Sequence, residues 1–233
     1  MSTRESCLIT GVGPGTGSAL TRRFAERYEV AMVARNEQRL AELEQSVEGT
    51  HTFVLDVTDR EGLAATAEAI RSRLGDPSIV IHNAVGGAFA DVLQLDPAVL
   101  QHNFEVNTMA LLQLVQEFAP AMVEAGRGVI LATGNTSAYR GKAPFAGFAP
   151  TKAAQRILLE SAARRLGPDG VHCAYVAIDA VIDVPWARER FSDKPDEFFA
   201  APAEIAEECF HIAHQARSTW TFDAVIRPFG EVW

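Results

Sequence analysis

Thr10-Gly11-Val12-Gly13-Pro14-Gly15-Thr16-Gly17 joins a short apolar run, Cys7-Leu8-Ile9, to a segment where Leu20, Phe24 and Ala25 recur at helical spacing over 18–28. The stretch reads as a strand, a glycine-rich turn and a helix start. Glycine serves such a turn in two ways: it tolerates positive φ, and its missing Cβ lets an anion approach the backbone. The unpaired N–H groups and the dipole of the helix start then face that anion. On these residues alone the loop is either a phosphate cradle or a plain strand-to-helix turn, and the rest of the chain must separate the two.

Further along, short runs rich in Val, Ile and Leu alternate with helical patterns. Strands are expected at 29–33, 52–55, 78–82, 128–133, 171–178 and 219–226, and helices at 37–45, 58–74, 97–124, from about 146, and at 202–215. Nearly continuous apolar strands alternating with helices mark a parallel sheet buried on both faces. With right-handed crossovers this gives a doubly wound α/β fold whose ligand crevice lies at the carboxyl ends of the strands. Asn36 is placed to cap the helix over 37–45, and Thr58-x-x-Glu61 has the form of a capping box.

A chain of 233 residues suits one large domain over 1–233 and is short for two. Its net charge of −9 argues against nucleic acid or an anionic membrane as partner. The N-terminus lacks an apolar core of signal-peptide length and no segment approaches the ~18 apolar residues of a membrane span, so a cytoplasmic location is expected. Cys7, Cys173 and Cys209 sit in apolar patterns and are expected as buried, reduced thiols. His211 and His214 lie three apart on a helix without a further ligand nearby in sequence, and no metal site is expected.

Several residues fall where strand ends meet the crevice. The second strand ends at Ala34-Arg35, where an acidic residue would bind ribose hydroxyls; an arginine there favours a 2′-phosphate, hence NADP(H) over NAD(H), or is an ordinary surface cation. Asp56, before Val57, accepts from an adenine amino group or caps its own loop. Asn107 shares a helix face with Phe104, Leu111, Val115, Phe118 and Met122. As a buried amide it either ties down nearby backbone or holds a water and a helix carbonyl in the crevice. Phe148 and Lys152 are one helical turn apart, and Ala146, Ala149, Ala153 and Ala154 leave that helix open to close approach by another subunit. The aromatic and charged stretch at about 183–201 lacks periodicity, which suits a mobile lid or a packed surface excursion.

The ordered set Thr10-Gly11-x3-Gly15-x-Gly17, Asp56-Val57, Asn83-Ala84, Asn107 and Lys152 resembles the short-chain dehydrogenase/reductase family, over almost the whole chain. The resemblance implies a three-layer doubly wound Rossmann fold with a seven-stranded parallel sheet in the order 3-2-1-4-5-6-7. It also implies a nicotinamide dinucleotide across the crevice, and homodimers or homotetramers built on the helices after strands four and five. Cofactor contacts are implied at Thr10, Gly11, Gly13, Gly15, Thr16, Gly17, Arg35, Asp56, Val57, Asn83, Ala84, Lys152, Ile182 and Asp183. The family's Asn-Ser-Tyr-Lys tetrad carries over only in part. Asn107 and Lys152 match, but the serine falls at Asn135 and the tyrosine at Phe148. In the family the tyrosine hydroxyl exchanges the carbinol proton while the lysine holds the nicotinamide ribose, and phenylalanine has no proton to give. Ile178-Asp179 replaces the usual Pro-Gly, and Asp183 stands where a threonine usually meets the carboxamide.

Two functions follow. In the first the chain is an NADPH-dependent reductase of a small apolar acceptor that needs little protonation, such as a conjugated alkene or an iminium. Asn135 then donates an amide hydrogen bond to the substrate oxygen, and Tyr139 is a displaced acid or an ordinary loop tyrosine. Residues 86–94 and the lid line the pocket. In the second the chain binds NADP(H) without turnover, as a sensor or partner subunit.

Overall fold

The computed structural model describes residues 4–231. Seven strands form one parallel sheet: β1 (Ser6–Thr10), β2 (Glu29–Ala34), β3 (Thr50–Val54), β4 (Ile79–His82), β5 (Gly128–Gly134), β6 (Val171–Ile178) and β9 (Asp223–Ile226). Their order is β3-β2-β1-β4-β5-β6-β9, the expected topology with the last strand at one edge. Two-residue strands β7 (Val181–Ile182) and β8 (Phe199–Ala200) pair separately.

Strand side chains alternate between two cores, as a period of two requires. Cys7, Ile9, Val30, Met32, Ile79 and Ile81 pack beneath α1 (Thr16–Ala25), α2 (Glu37–Ser46) and α8 (Pro202–Ala213). Leu8, Ala31, Val80, Ile130 and Tyr175 pack beneath α3 (Arg60–Leu74), α5 (Ala110–Glu124) and α6 (Ala149–Leu166). β1 and β6 are buried along their whole length, so the sheet is covered on both faces. All three cysteines are buried and free. Among the described residues no helix is long and apolar enough to cross a membrane.

The helix expected over 97–124 is one rod with a defect. It comprises α4 (Pro97–Phe104), a π turn over Glu105–Met109, and α5. The extra residue in the turn rotates the buried stripe, so Asn103, Val106 and Asn107 are buried while Phe104 and Val115 are only partly covered.

Three local expectations are corrected. Asn36 caps α2 as expected, through Arg39 N–H at 2.9 Å, but α3 is capped by Asp59, whose Oδ1 accepts Gly62 N–H at 2.9 Å. Thr58 is unavailable as a cap because its N–H and hydroxyl both donate to Asp56 Oδ1. The helix expected from about 146 begins at Ala149, because Pro150 is accommodated only in a first turn; Phe148 is therefore its N-cap residue rather than a helical one. The last strand is shorter than expected, with a 3₁₀ turn at Arg217–Thr219 before it. The lid segment contains α7 (Pro185–Arg190) and a small cluster of Val184, Ala187 and Phe199, braced by Arg188 between Asp183 and Asp196.

The last residue of β5, Gly134, must lack a side chain, because a Cβ there would overlap the ring and hydroxyl of the buried Tyr175. Gly134→Ala is expected to destabilise the protein by about 2–4 kcal/mol in urea unfolding, with part of the loss recovered by adding Tyr175→Leu.

Candidate functional site

The strand order reverses beside β1, and a crevice of about 690 Å³ opens there at the carboxyl ends of the strands. Gly11 has φ +72°, and a Cβ on it would strike the backbone of Ala84 just past β4. This close approach is locked by the Asn83 side-chain amide, which donates to Gly11 O at 2.8 Å, while Gly11 N–H donates to Val33 O at 2.8 Å. Ser18 and Ala19 N–H reach back to Gly13 O and Gly15 O, leaving the amides at the start of α1 turned to the crevice. Thr16 Oγ1 is buried there without a hydrogen-bond partner. A Cβ on Gly13 would meet only Gly11 O, at 3.9 Å, so the glycine leaves open space at the loop. Exposed amides, an orphaned hydroxyl and open space fit a pyrophosphate.

The walls are supplied by Gly11 to Gly17, by Arg35, Asn36 and Arg39 after β2, by Leu55, Asp56 and Val57 after β3, and by Asn83, Ala84 and Val85 after β4. His102 of α4 and Ile182, Val184 and Trp186 of the lid segment complete them. Arg35 is three-quarters exposed and lies 3.6 Å from Asp56. Partial burial raises the Asp56 pKa, but hydrogen bonds from Thr58 and the charges of Arg35 and His102 outweigh it and hold the group below the usual aspartate range. Trp186 belongs to the lid stretch expected to line the pocket, whereas Arg39 and His102 were not anticipated. Arg39 lies four residues beyond Arg35, a spacing legible in the sequence; His102 lies on a distant segment and carries no local signal.

A buried polar chain runs from this crevice into the α6 side. Asn83 Oδ1 accepts the Thr133 hydroxyl at 2.8 Å, and Thr133 O accepts Lys152 Nζ at 3.3 Å. Lys152 Nζ also donates to Gln155 Oε1 at 2.9 Å, and Gln155 Nε2 donates to Asn107 O at 2.7 Å. The carbonyl before it, Val106 O, pairs with His82 Nε2 at 3.0 Å. The Asn107 side chain settles into the first of its two readings: Oδ1 accepts Gly86 N–H, and Nδ2 donates to Gly86 O and Thr151 Oγ1. Burial pushes the Lys152 pKa down to about 7. Burial, with the nearby Lys152 charge, lowers His82 to about 3, so its imidazole is neutral.

Other expected site residues face elsewhere. Thr10 is buried, its hydroxyl bonded to His82 Nδ1 at 2.9 Å, so it braces β4 and does not line the crevice. Asp183 pairs bidentately with Arg188, which lowers its pKa, and it too is absent from the crevice wall. Asn135 is spent in part on its own turn, its Oδ1 accepting Ser137 N–H at 3.1 Å. Tyr139 is corrected as an acid: its hydroxyl donates to Asp223, and burial together with that bond raises its pKa. Phe148 is buried, its ring 6.4 Å from Phe89 and 5.8 Å from Lys152 Nζ. His214, taken in sequence with His211, is bonded to Tyr28 Oη and Phe210 O.

The family model described as short chain dehydrogenase matches residues 5–194. The chain belongs to the short-chain dehydrogenase/reductase family. Short-chain dehydrogenase/reductase 3 of Homo sapiens is 31% identical over 164 residues, covering 68% of this chain and 54% of that protein. The chain thus spans about half the length of the curated relatives it matches. Among solved structures, an alcohol dehydrogenase from Thermococcus sibiricus complexed with 5-hydroxy-NADP is 26% identical, with a TM-score of 0.85 and 98% of each chain covered. An NADPH-bound short chain oxidoreductase from Pseudomonas aeruginosa PAO1, described as containing an atypical catalytic center, shares the fold at 21% identity, with a TM-score of 0.87 and coverage of 97% and 96%.

In this family member the buried lysine makes stability depend on pH. Between about pH 7 and about pH 10 the unfolded chain holds a proton on Lys152 that the folded chain has released, so folding is favoured as pH rises; below about pH 7 the burial penalty is complete. Lys152→Met is expected to stabilise the fold at about pH 6 by on the order of 1 kcal/mol or more, an advantage that shrinks by about pH 9 in urea titrations.

Proposed function

We propose that this chain is an NADPH-dependent reductase acting on a small, apolar acceptor, without a phenolic acid in the tyrosine position. The observation that carries the reading is the pairing of a pyrophosphate-shaped loop with Arg35 and Arg39 on the crevice wall, at a strand end that bears no carboxylate. Guanidinium groups there recognise a 2′-phosphate by charge and paired donors, whereas NAD(H) offers only hydroxyls. The NADP and NADPH ligands named for solved structures of the same fold support the cofactor class.

Gly11, Gly13, Gly15, Thr16 and Gly17 would hold the pyrophosphate, Asp56 and Val57 the adenine, and Asn83, Ala84 and Ile182 the nicotinamide half. When bound, the reduced nicotinamide supplies a hydride. Phe89, 73% exposed, stands over Phe145 and Phe148 and gives the acceptor side an aromatic wall, which supports an apolar substrate body. A homodimer or homotetramer through α5 and α6 is part of the proposal, supported by the small Ala153 and Ala154 beside the exposed Ile157 on α6.

Calorimetric titration tests the reading. NADPH is expected to bind at least tenfold more tightly than NADH, and Arg35→Ala to remove about tenfold of NADPH affinity while leaving NADH unchanged. Equal affinities, or no binding of either nucleotide, would contradict it.

A further inference from the structure

The loops that follow β4 and β5 are tied into one wall, on the side that the reductase reading gives to the acceptor. Ala146 N–H donates to Ala90 O at 3.3 Å, Asn103 Nδ2 donates to Gly147 O at 2.7 Å, and Asn107 holds both backbone groups of Gly86. Three rings line this wall. Phe148 is buried at its base, Phe89 stands exposed 6.4 Å from it, and Phe145 meets Phe89 edge to face at 5.0 Å. An edge-to-face pair leaves a ring face uncovered, and a flat apolar body stacks on such a face. The row ends on a cation: Lys142 Nζ lies 6.0 Å from the centre of the Phe145 ring.

Charge distribution singles Lys142 out. The chain carries a net charge of −9, yet residues 134–159 contain Arg140, Lys142, Lys152 and Arg156 and no Asp or Glu. Three of these cations have a place: Arg140 beside Asp179 Oδ2 at 3.9 Å, Lys152 buried on Thr133 O and Gln155 Oε1, and Arg156 on Asp223. Among the described residues no carboxylate pairs with Lys142. The two acids of the facing loop are committed to their own backbone, Asp91 Oδ1 accepting Leu93 N–H and Asp96 Oδ1 accepting Ala98 N–H. An unpaired ammonium at the end of an apolar wall is a place for an anion, and the ring beside it keeps it over the wall.

We propose that the acceptor is a flat apolar molecule ending in a carboxylate, with its body on Phe89 and Phe145 and its carboxylate on Lys142. The claim rests on the reductase reading above and narrows its substrate class. One unpaired ammonium matches one negative charge, so a carboxylate fits where a phosphate would call for further donors. Phe89 and Lys142 then act as specificity residues that touch the substrate away from the reacting carbon, and neither is asked to move a proton. Because Lys142 is exposed, its contact with the anion is screened and weakens with salt.

The test titrates the NADP⁺-loaded protein calorimetrically with chalcone-4-carboxylate and with its uncharged methyl ester, and follows NADPH oxidation by both compounds. The acid is expected to bind about fivefold more tightly than the ester at low salt, a preference lost by about 0.5 M salt. Lys142→Ala brings the acid to the level of the ester, and Lys142→Glu places it below. Phe89→Ala weakens both compounds by about tenfold. Equal affinity for acid and ester, a preference that survives Lys142→Ala, or no binding of either compound to protein that holds NADP⁺ overturns the inference and leaves the reductase reading standing. Binding of the acid through Lys142 without NADPH oxidation by either compound overturns the reductase reading while the subsite stands. A protein that holds neither NADP⁺ nor NADPH overturns both.

Discussion

The side-chain amide of Asn83 on the carbonyl of Gly11 is the contact on which the site depends. It presses the first loop onto the end of β4 so closely that residue 11 must lack a Cβ. With the loop held there, Thr10 turns inward to His82 and the amides that open α1 turn outward, where no protein acceptor waits. On the proposed reading this strand end serves as an anion site rather than an ordinary turn, since unpaired donors facing the crevice need a partner there. Asn83 also receives Thr133, so the same amide couples the glycine loop to the lysine on the other side of β4.

The π turn does the complementary work on the α6 side. Widening a helix releases carbonyls from the ladder, and released carbonyls in a core must be met by side chains. His82 meets Val106 O and Gln155 meets Asn107 O, so two buried polar side chains find their partners on the π turn. Gln155 brings Lys152 with it. The chain thus keeps a built polar centre beneath a position where the ring of Phe148 carries no hydroxyl.

Much of the fold was legible because it rests on local patterns. Runs such as Ile79-Val80-Ile81 between helical segments specify buried parallel strands, and the glycine loop, Asn36 as a cap and Arg35 at a strand end each stand within a few residues of their cause. What escaped depends on distant partners or on competition between neighbours. Thr58 and Asp59 are both good caps, and Asp56 decides between them by taking Thr58. Pro150 outweighs the helix-favouring alanines before it and fixes where α6 starts. The fate of Tyr139 is set by Asp223, 84 residues away, and Gln155 reads as a surface polar residue until the π turn is known.

The most direct measurement is a crystal structure of the chain grown with NADPH. The account predicts pyrophosphate oxygens within hydrogen-bond distance of the Gly15 to Gly17 amides and of Thr16 Oγ1, with the 2′-phosphate between Arg35 and Arg39. A dinucleotide seated elsewhere, or a Thr16 hydroxyl still without a partner when NADPH is bound, would contradict it.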